Sequence, residues 1–225
     1  VGRVTQAVLV DALGTLVELR PPAQPLREAL RRRSGIDVGI EAAERGFGAE
    51  IGHYLANHMR GCDEAGLEEL RDECAAAMRT AIGREELDHA TVRSAMLEAL
   101  EFRAFPDAAP ALRNLRARGM CVVVVSNWDC SLPEWLGRAG LGGLFDGAVS
   151  SAVVGEAKPA AAVFEAALEL AGCRAADAVH VGDSIENDVE GARAIGLRAI
   201  LVQRQGQVPT GVETVRSLGE LSAIV

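Results

Sequence analysis

The sequence predicts an α/β protein, a doubly wound parallel sheet with an all-helical domain inserted after its first strand. Three observations predict it. Five short apolar stretches rich in β-branched residues punctuate the 225-residue chain, and helical patterns separate the last four, which is the alternation of a parallel sheet. The run Val122–Val125 reads as a strand covered on both faces. Between Pro21 and Arg103, by contrast, helical spacing persists and no strand pattern interrupts it.

The elements follow in order. Thr5–Asp11 is the first strand, ending in a carboxylate and a glycine turn. Helices are expected over Gln24–Arg33, Ile40–Met59, Glu64–Ile82 and Ala90–Leu100, divided by Gly35, Gly61 and Gly83. In the third of these, Leu67, Leu70, Cys74 and Met78 fall at helical spacing with Glu68, Glu69, Asp72 and Glu73 between them, an apolar stripe beside a solvated face. Phe105-Pro106-Asp107 marks re-entry, with Asp107 placed to cap a helix through Arg118. Strands over Met120–Ser126, Gly147–Ser151, Ala178–Gly182 and Leu197–Val202 then alternate with helices over Ser131–Ala139, Ala160–Ala171 and Asp188–Ile195. The expected domains are a Rossmann-like core over 1–19 and 104–225 and a helical cap over 20–103.

Composition bounds the function. Hydrophobic content of 49% with 24% charged residues is that of a globular protein. A net charge of -9 argues against nucleic acid as a partner, because that affinity comes from basic side chains replacing counterions. Five scattered cysteines without metal-ligand spacing read as free thiols in a reducing cytosol. No apolar run reaches membrane-spanning length and no leader pattern opens the chain, so the expectation is a cytoplasmic protein with no membrane partner. Motifs for nucleotide loops, serine hydrolases and zincins are absent from the sequence.

Ligands of open parallel sheets bind at the carboxyl edge, and four expected strand ends carry polar clusters there. These are Asp11-Ala-Leu-Gly-Thr15, Ser126-Asn127, Lys158-Pro159 and Gly182-Asp183-Ser-Ile-Glu-Asn-Asp188. Lys158 is the only lysine of the chain. In this order the clusters resemble the four motifs of the haloacid dehalogenase superfamily of hydrolases, and the resemblance extends over essentially the whole chain, helical cap included.

The resemblance implies Asp11 as a nucleophile forming an aspartyl-phosphate, and a small phosphorylated molecule as substrate. It implies Mg2+ held by Asp11, the backbone carbonyl of Leu13, Asp183 and Asp188. Ser126, Asn127 and Thr15 become candidate phosphate contacts, Thr15 equally a brace for its own loop, and Lys158 a neutralising cation. One departure stands out. Where phosphatases of the family carry an acid two positions after the nucleophile, this chain has Leu13, which moves no proton. The same departure suits the 2-haloacid dehalogenase branch, whose halide leaves unprotonated without a metal, but Asp183 and Asp188 favour the metal-equipped reading. A catalytically weak phosphate-binding or interaction module is the non-enzyme alternative.

Other residues are read more plainly. Asp129 is expected in a surface or helix-capping role, with service as a substitute acid the lesser alternative. His180 is expected as a core residue with a satisfied hydrogen bond, and His53 and His58 lack metal-chelating spacing. Trp128 suits either packing or closure over a substrate, and Arg31–Arg33 either a solvated helix face or an anionic substrate.

Overall fold

A computed structural model describes residues 5–225; residues 1–4, assigned above to the core domain, lie outside the described residues. The chain divides into two units, one running to Glu18 and resuming from Arg103 to Val225, the other spanning Leu19–Phe102.

In the first unit the strands are β1 (Ala7–Val10), β2 (Val17–Leu19), β3 (Phe102–Ala104), β4 (Cys121–Ser126), β5 (Gly147–Ser150), β6 (Ala178–Gly182), β7 (Arg198–Val202) and β8 (Thr214–Val215), with β2 and β3 reaching into the second unit at Leu19 and Phe102. Six of them form one sheet in the order β5-β4-β1-β6-β7-β8, and every pairing is parallel. All five stretches read as strands join it. β2 and β3 pair separately, so a short strand does occur at Phe102, inside the stretch read as purely helical. Strands of two or three residues carry too little alternation to be recognised.

The sheet is covered because its strands are apolar on both faces. Val122–Val125 are fully buried. Helix Ala161–Ala171 contributes Val163, Phe164, Ala167 and Leu168 to a cluster with Leu9, Val123 and Leu201. Burial of such side chains stabilises by roughly 1.5–3 kcal/mol each.

Two local expectations are corrected. Asp107 sits at the start of helix Ala108–Ala117, yet its side chain makes no cap there. It accepts instead from Arg204, Ser217 Oγ and the Leu218 amide, a charged donor plus two others outweighing a single cap. The helix expected from Asp188 begins earlier, as a π-helical stretch over Ile185–Glu190 that leads into Gly191–Ala194. Val189 N reaches back five residues to the Ser184 carbonyl at 3.2 Å, which widens the turn around Asp188.

The second unit is helical: α1 (Ala23–Ser34), α2 (Ile40–Asn57) followed by a 3-10 turn over His58–Arg60, α3 (Glu64–Ile82) and α4 (His89–Ala99). Asp63 and Asp88 cap α3 and α4 by accepting from the Gly66 and Thr91 amides. Gly35 and Gly83 end α1 and α3 in the left-handed conformation, at φ 76° and 71°, which a side chain resists. Arg32 and Arg33 both pair with Glu98, so two of the three arginines weighed for an anionic substrate share one carboxylate within their own unit. No helix among the described residues is long and apolar enough to cross a membrane.

One residue breaks the apolar pattern of α2. Glu50 is buried on the stripe that carries Ala43 and Phe47, and its carbonyl lies 4.0 Å from Cys74 Sγ of α3. Burial alone pushes its carboxyl from 4.5 up to about 7. A raised folded-state value means that its protonated form stabilises the fold fully below pH 4.5, and that this is lost as pH rises through 7. Glu50→Met is therefore expected to stabilise the protein by on the order of 2–3 kcal/mol at pH 8 and by little at pH 5. Urea unfolding at both pH values checks this; an equal effect at the two would show that Glu50 does not titrate as its burial requires.

Candidate active site

Parallel strands bring their carboxyl ends to one edge, and the sheet order β4-β1-β6 makes three chemistry-bearing ends neighbours. Asp11 follows β1, Ser126 ends β4 and Asp183 follows β6. The Asp11 amide donates to the Val181 carbonyl at 2.8 Å, extending the ladder with β6 by one residue and fixing the aspartate at the rim. Beyond it the chain folds back on itself, with Gly14 N donating to Val17 O at 2.8 Å and Leu16 N and Val17 N both donating to Ala12 O.

Lys158 enters from the loop after helix Ser151–Val154 and is buried. Its ammonium donates to Asp11 Oδ1 and Asp188 Oδ1, each at 2.6 Å, and to the Val125 carbonyl at 3.1 Å. All three of its N–H groups are thus engaged. Its main chain is held as well: Lys158 N donates to Asn127 Oδ1 at 2.7 Å, and Asn127 Nδ2 donates to Lys158 O at 3.0 Å. The Asn127 amide, read from sequence as a phosphate donor, is occupied in clamping Lys158.

The two oxygens of Asp11 differ. Oδ1 accepts from Lys158 and, at 3.1 Å, from Ser126 Oγ. Oδ2 is buried and has no hydrogen-bond partner among the described residues. Such an orphan is rare in a native fold and asks for an explanation. Burial pushes the Asp11 carboxyl up to about 6, helped by the charges of Asp188 and Asp183 and opposed by Lys158. It is still mostly a carboxylate at neutral pH.

Asp188 is buried on the π-helical stretch. Its Oδ1 accepts from Lys158 and from His180 Nε2 at 2.8 Å, and its Oδ2 from the Ser184 amide at 2.9 Å. Burial works against its charge, but His180 and Lys158 hold its carboxyl well below the usual range. Asp183 is exposed, and partial desolvation followed by the charge of Asp188 raises its carboxyl. Oxygens of Asp11, Asp183 and Asp188 lie within 4.8 Å of one another, a spacing suited to a hard cation. The exposed Asp183 gives such an ion open oxygens beside Asp11.

Thr15 is fully buried, and its Oγ1 has no partner among the described residues; its carbonyl, not its hydroxyl, carries the contact described below. Leu13 is 45% exposed. Asp129 is buried and accepts from Ser131 N at 2.7 Å and Ser131 Oγ at 2.5 Å, a local turn rather than the surface or helix-capping place expected of it, since the helix that follows has its N-cap at Ser131. His180 is fully buried with Nε2 bonded to Asp188, the core place and hydrogen bond expected of it, while its Nδ1 has no partner among the described residues. Trp128 is buried, its backbone pinned by Ser151. His53 pairs with Glu73 at 3.0 Å on the helical unit.

A family model described as haloacid dehalogenase-like hydrolase matches residues 5–196. The chain belongs to that family. This hydrolase is 31% identical over 211 residues to haloacid dehalogenase-like hydrolase domain-containing protein 3 of Bos taurus, across 85% of this chain and 79% of that protein. It is 40% identical over 125 residues to Phosphatase MT3486 of Mycobacterium tuberculosis, across 55% of this chain and 56% of that protein. The latter match spans little more than half of that phosphatase. In fold this hydrolase is similar to a 2-haloacid dehalogenase from Pseudomonas syringae, with a TM-score of 0.69, 23% identity and coverage of 97% and 96%.

The shared ammonium sets a stability expectation. Lys158→Met leaves Asp11 and Asp188 buried without their cation, a loss of about 3–5 kcal/mol by analogy with other broken buried pairs. Without Lys158 the Asp11 carboxyl rises further above its unfolded value, so the penalty is full at pH 8 and eases as falling pH protonates it. Urea unfolding of the variant in a chelating buffer at pH 8 and pH 5.5 measures both parts; a pH-independent loss would mean that packing, not charge, is what the lysine supplies.

Proposed function

We propose that this hydrolase is a Mg2+-dependent phosphohydrolase working through an aspartyl-phosphate on Asp11, and that Leu13 restricts it to substrates with good leaving groups. The observation that carries the reading is the asymmetry of Asp11, a residue clustered with Asp183 and Asp188: Oδ1 is fixed by Lys158 and Ser126, while Oδ2 is buried and unpartnered among the described residues. A purely capping carboxylate would bond the backbone amides of the following turn, and neither oxygen of Asp11 does. A nucleophile needs one held and one free.

Asp11 Oδ2 attacks phosphorus, the Oδ2–P bond forms, and the bond to the leaving oxygen breaks with its electron pair. Ser126 and Lys158 hold the attacking carboxylate in orientation, and Lys158 offsets the charge gathered around it. Asn127 acts by fixing the Lys158 backbone. Water then cleaves the aspartyl-phosphate and restores Asp11. Asp11, Asp183, Asp188 and the Leu13 carbonyl would hold Mg2+, which supplies charge neutralisation and orientation for the phosphoryl group when bound.

Neither step has a proton shuttle at Leu13. General acid or base help is worth about 10² to 10⁴-fold, or roughly 3 to 5 kcal/mol of barrier. An alkoxide leaving group needs that proton; the carboxylate of an acyl phosphate or an activated aryl oxide does not. The phosphatase relative supports the phosphoryl reading, and the haloacid dehalogenase fold neighbour makes haloacids the necessary control. Release of halide from 2-chloropropionate without Mg2+ would reverse the assignment.

Acyl phosphates and nitrophenyl phosphate are expected to be turned over with Mg2+ and alkyl phosphates to lag far behind. Asp11→Asn should abolish all turnover. Leu13→Asp should raise alkyl phosphate turnover by up to about 10²-fold, the lower end of acid–base assistance. Intact-mass measurement during turnover should find a phosphoryl adduct on the parent protein. Rapid alkyl phosphate turnover with no adduct would sink the leaving-group argument.

A further inference from the structure

Beyond the four motif clusters, a fifth strand end also faces the nucleophile loop. Arg204 lies two residues past the end of β7 at Val202. Its Nη2 donates to the Thr15 carbonyl at 2.8 Å and to Asp107 Oδ1 at 3.1 Å, and its Nη1 donates to Asp107 Oδ2 at 2.8 Å. The guanidinium carbon lies 3.8 Å from the centre of the Phe105 ring. Phe105 in turn donates its amide to the Leu16 carbonyl at 2.9 Å. Asp107 is braced from the other side by Ser217 Oγ and the Leu218 amide, both at 2.9 Å.

We infer that Arg204 is a positioning residue for the hydrolytic reaction, holding the Asp11–Thr15 loop in register through the Thr15 carbonyl. The inference rests on the phosphohydrolase reading for its kinetic consequence but not for its structural one. Three features make the contact more than a surface ion pair. The pair is bidentate, which fixes the plane of the guanidinium. The ring beneath fixes its height. The second N–H of Nη2 reaches the loop four residues beyond the nucleophile and two beyond the carbonyl proposed as a cation ligand, while the buried Nε has no partner among the described residues. A displacement of about 1 Å in such a loop can cost about 10²-fold in rate. Arginine is required because a lysine cannot fork to a carboxylate, lie flat on a ring and donate to a carbonyl together.

The test uses the full chain with Arg204→Lys and Arg204→Met. In both, hydrogen exchange of the Gly14, Leu16 and Val17 amides is expected to accelerate by about tenfold or more, while the buried strand amides of Val122–Val125 exchange as in the parent. The kcat for nitrophenyl phosphate should fall by about tenfold or more with KM within about threefold, the signature of lost alignment rather than lost substrate binding. Loop exchange unchanged in both variants overturns the inference. Acceleration spread equally over the strands overturns it too, since Arg204 would then be a general stabiliser, and so does loosened loop exchange with kcat unchanged. If the parent has no turnover that depends on Asp11, the phosphohydrolase reading fails, and the exchange data still decide whether Arg204 holds the loop. Should Arg204→Met fail to fold, Arg204→Lys alone decides, since it keeps the charge.

Discussion

Two buried carboxylates, one following β1 and one on the π-helical stretch after β6, lie side by side here because one ammonium lies between them. Lys158 contacts Asp11 and Asp188 at 2.6 Å each, and without it their repulsion in a low-dielectric site would force at least one to protonate. The arrangement governs where the chain goes. The loop after β5 must deliver a lysine to the far side of β1, and Asn127 at the end of β4 holds that loop by both of its main-chain polar groups. The third ammonium proton goes to the Val125 carbonyl, so the sheet edge itself anchors the cation. Sheet order and side-chain chemistry are thus one constraint.

Close approach is the second condition. A side chain at Gly14 would put its Cβ 2.1 Å from Asp183 Oδ2, on a backbone at φ 86°, and one at Gly182 would put it 2.2 Å from Asp188 Cγ. The two acids are packed against bare backbone on both sides. The π-helical turn serves the same end, because its extra residue brings Asp188 back over Gly182 to meet His180 and the Ser184 amide. An ordinary α-turn starting at Asp188, which the sequence suggests, would carry the carboxylate away from the rim.

The long strands and the motif residues were legible because they depend on local signals. Val122–Val125 can hardly be anything but a buried strand, Asp11, Ser126 and Asp183 each follow or end an apolar run, and Lys158 is the only lysine of the chain. What stayed hidden depends on partners distant in sequence. Asn127 finds Lys158 across 31 residues, and Asp107 finds Arg204 across 97. Nothing within the segment around Asp107 says that its carboxylate will leave its own helix for that arginine. Arg204 itself was passed over although it follows an expected strand, because a lone arginine among many carries no pattern. The strands β2, β3 and β8 are too short to show alternation, and the π-turn has no compositional mark.

Charge balance bears on the proposed cofactor. Asp11, Asp183 and Asp188 carry three negative charges when ionised and Lys158 one positive, leaving a deficit of two at a site whose buried members cannot draw on solvent. Lys158 cannot make up more, since its three protons are committed. Protonation is one remedy, and the upward displacement of Asp11 and Asp183 is its trace. A divalent cation is the other, and it would act where those two acids meet, beside Asp11 and the open side of Asp183. The two remedies exclude one another on Asp11, because an oxygen that carries a proton neither binds a cation nor attacks phosphorus. The proposed cofactor and the proposed nucleophile therefore ask for the same ionised carboxylate, and Leu13 brings no further titratable group to the loop.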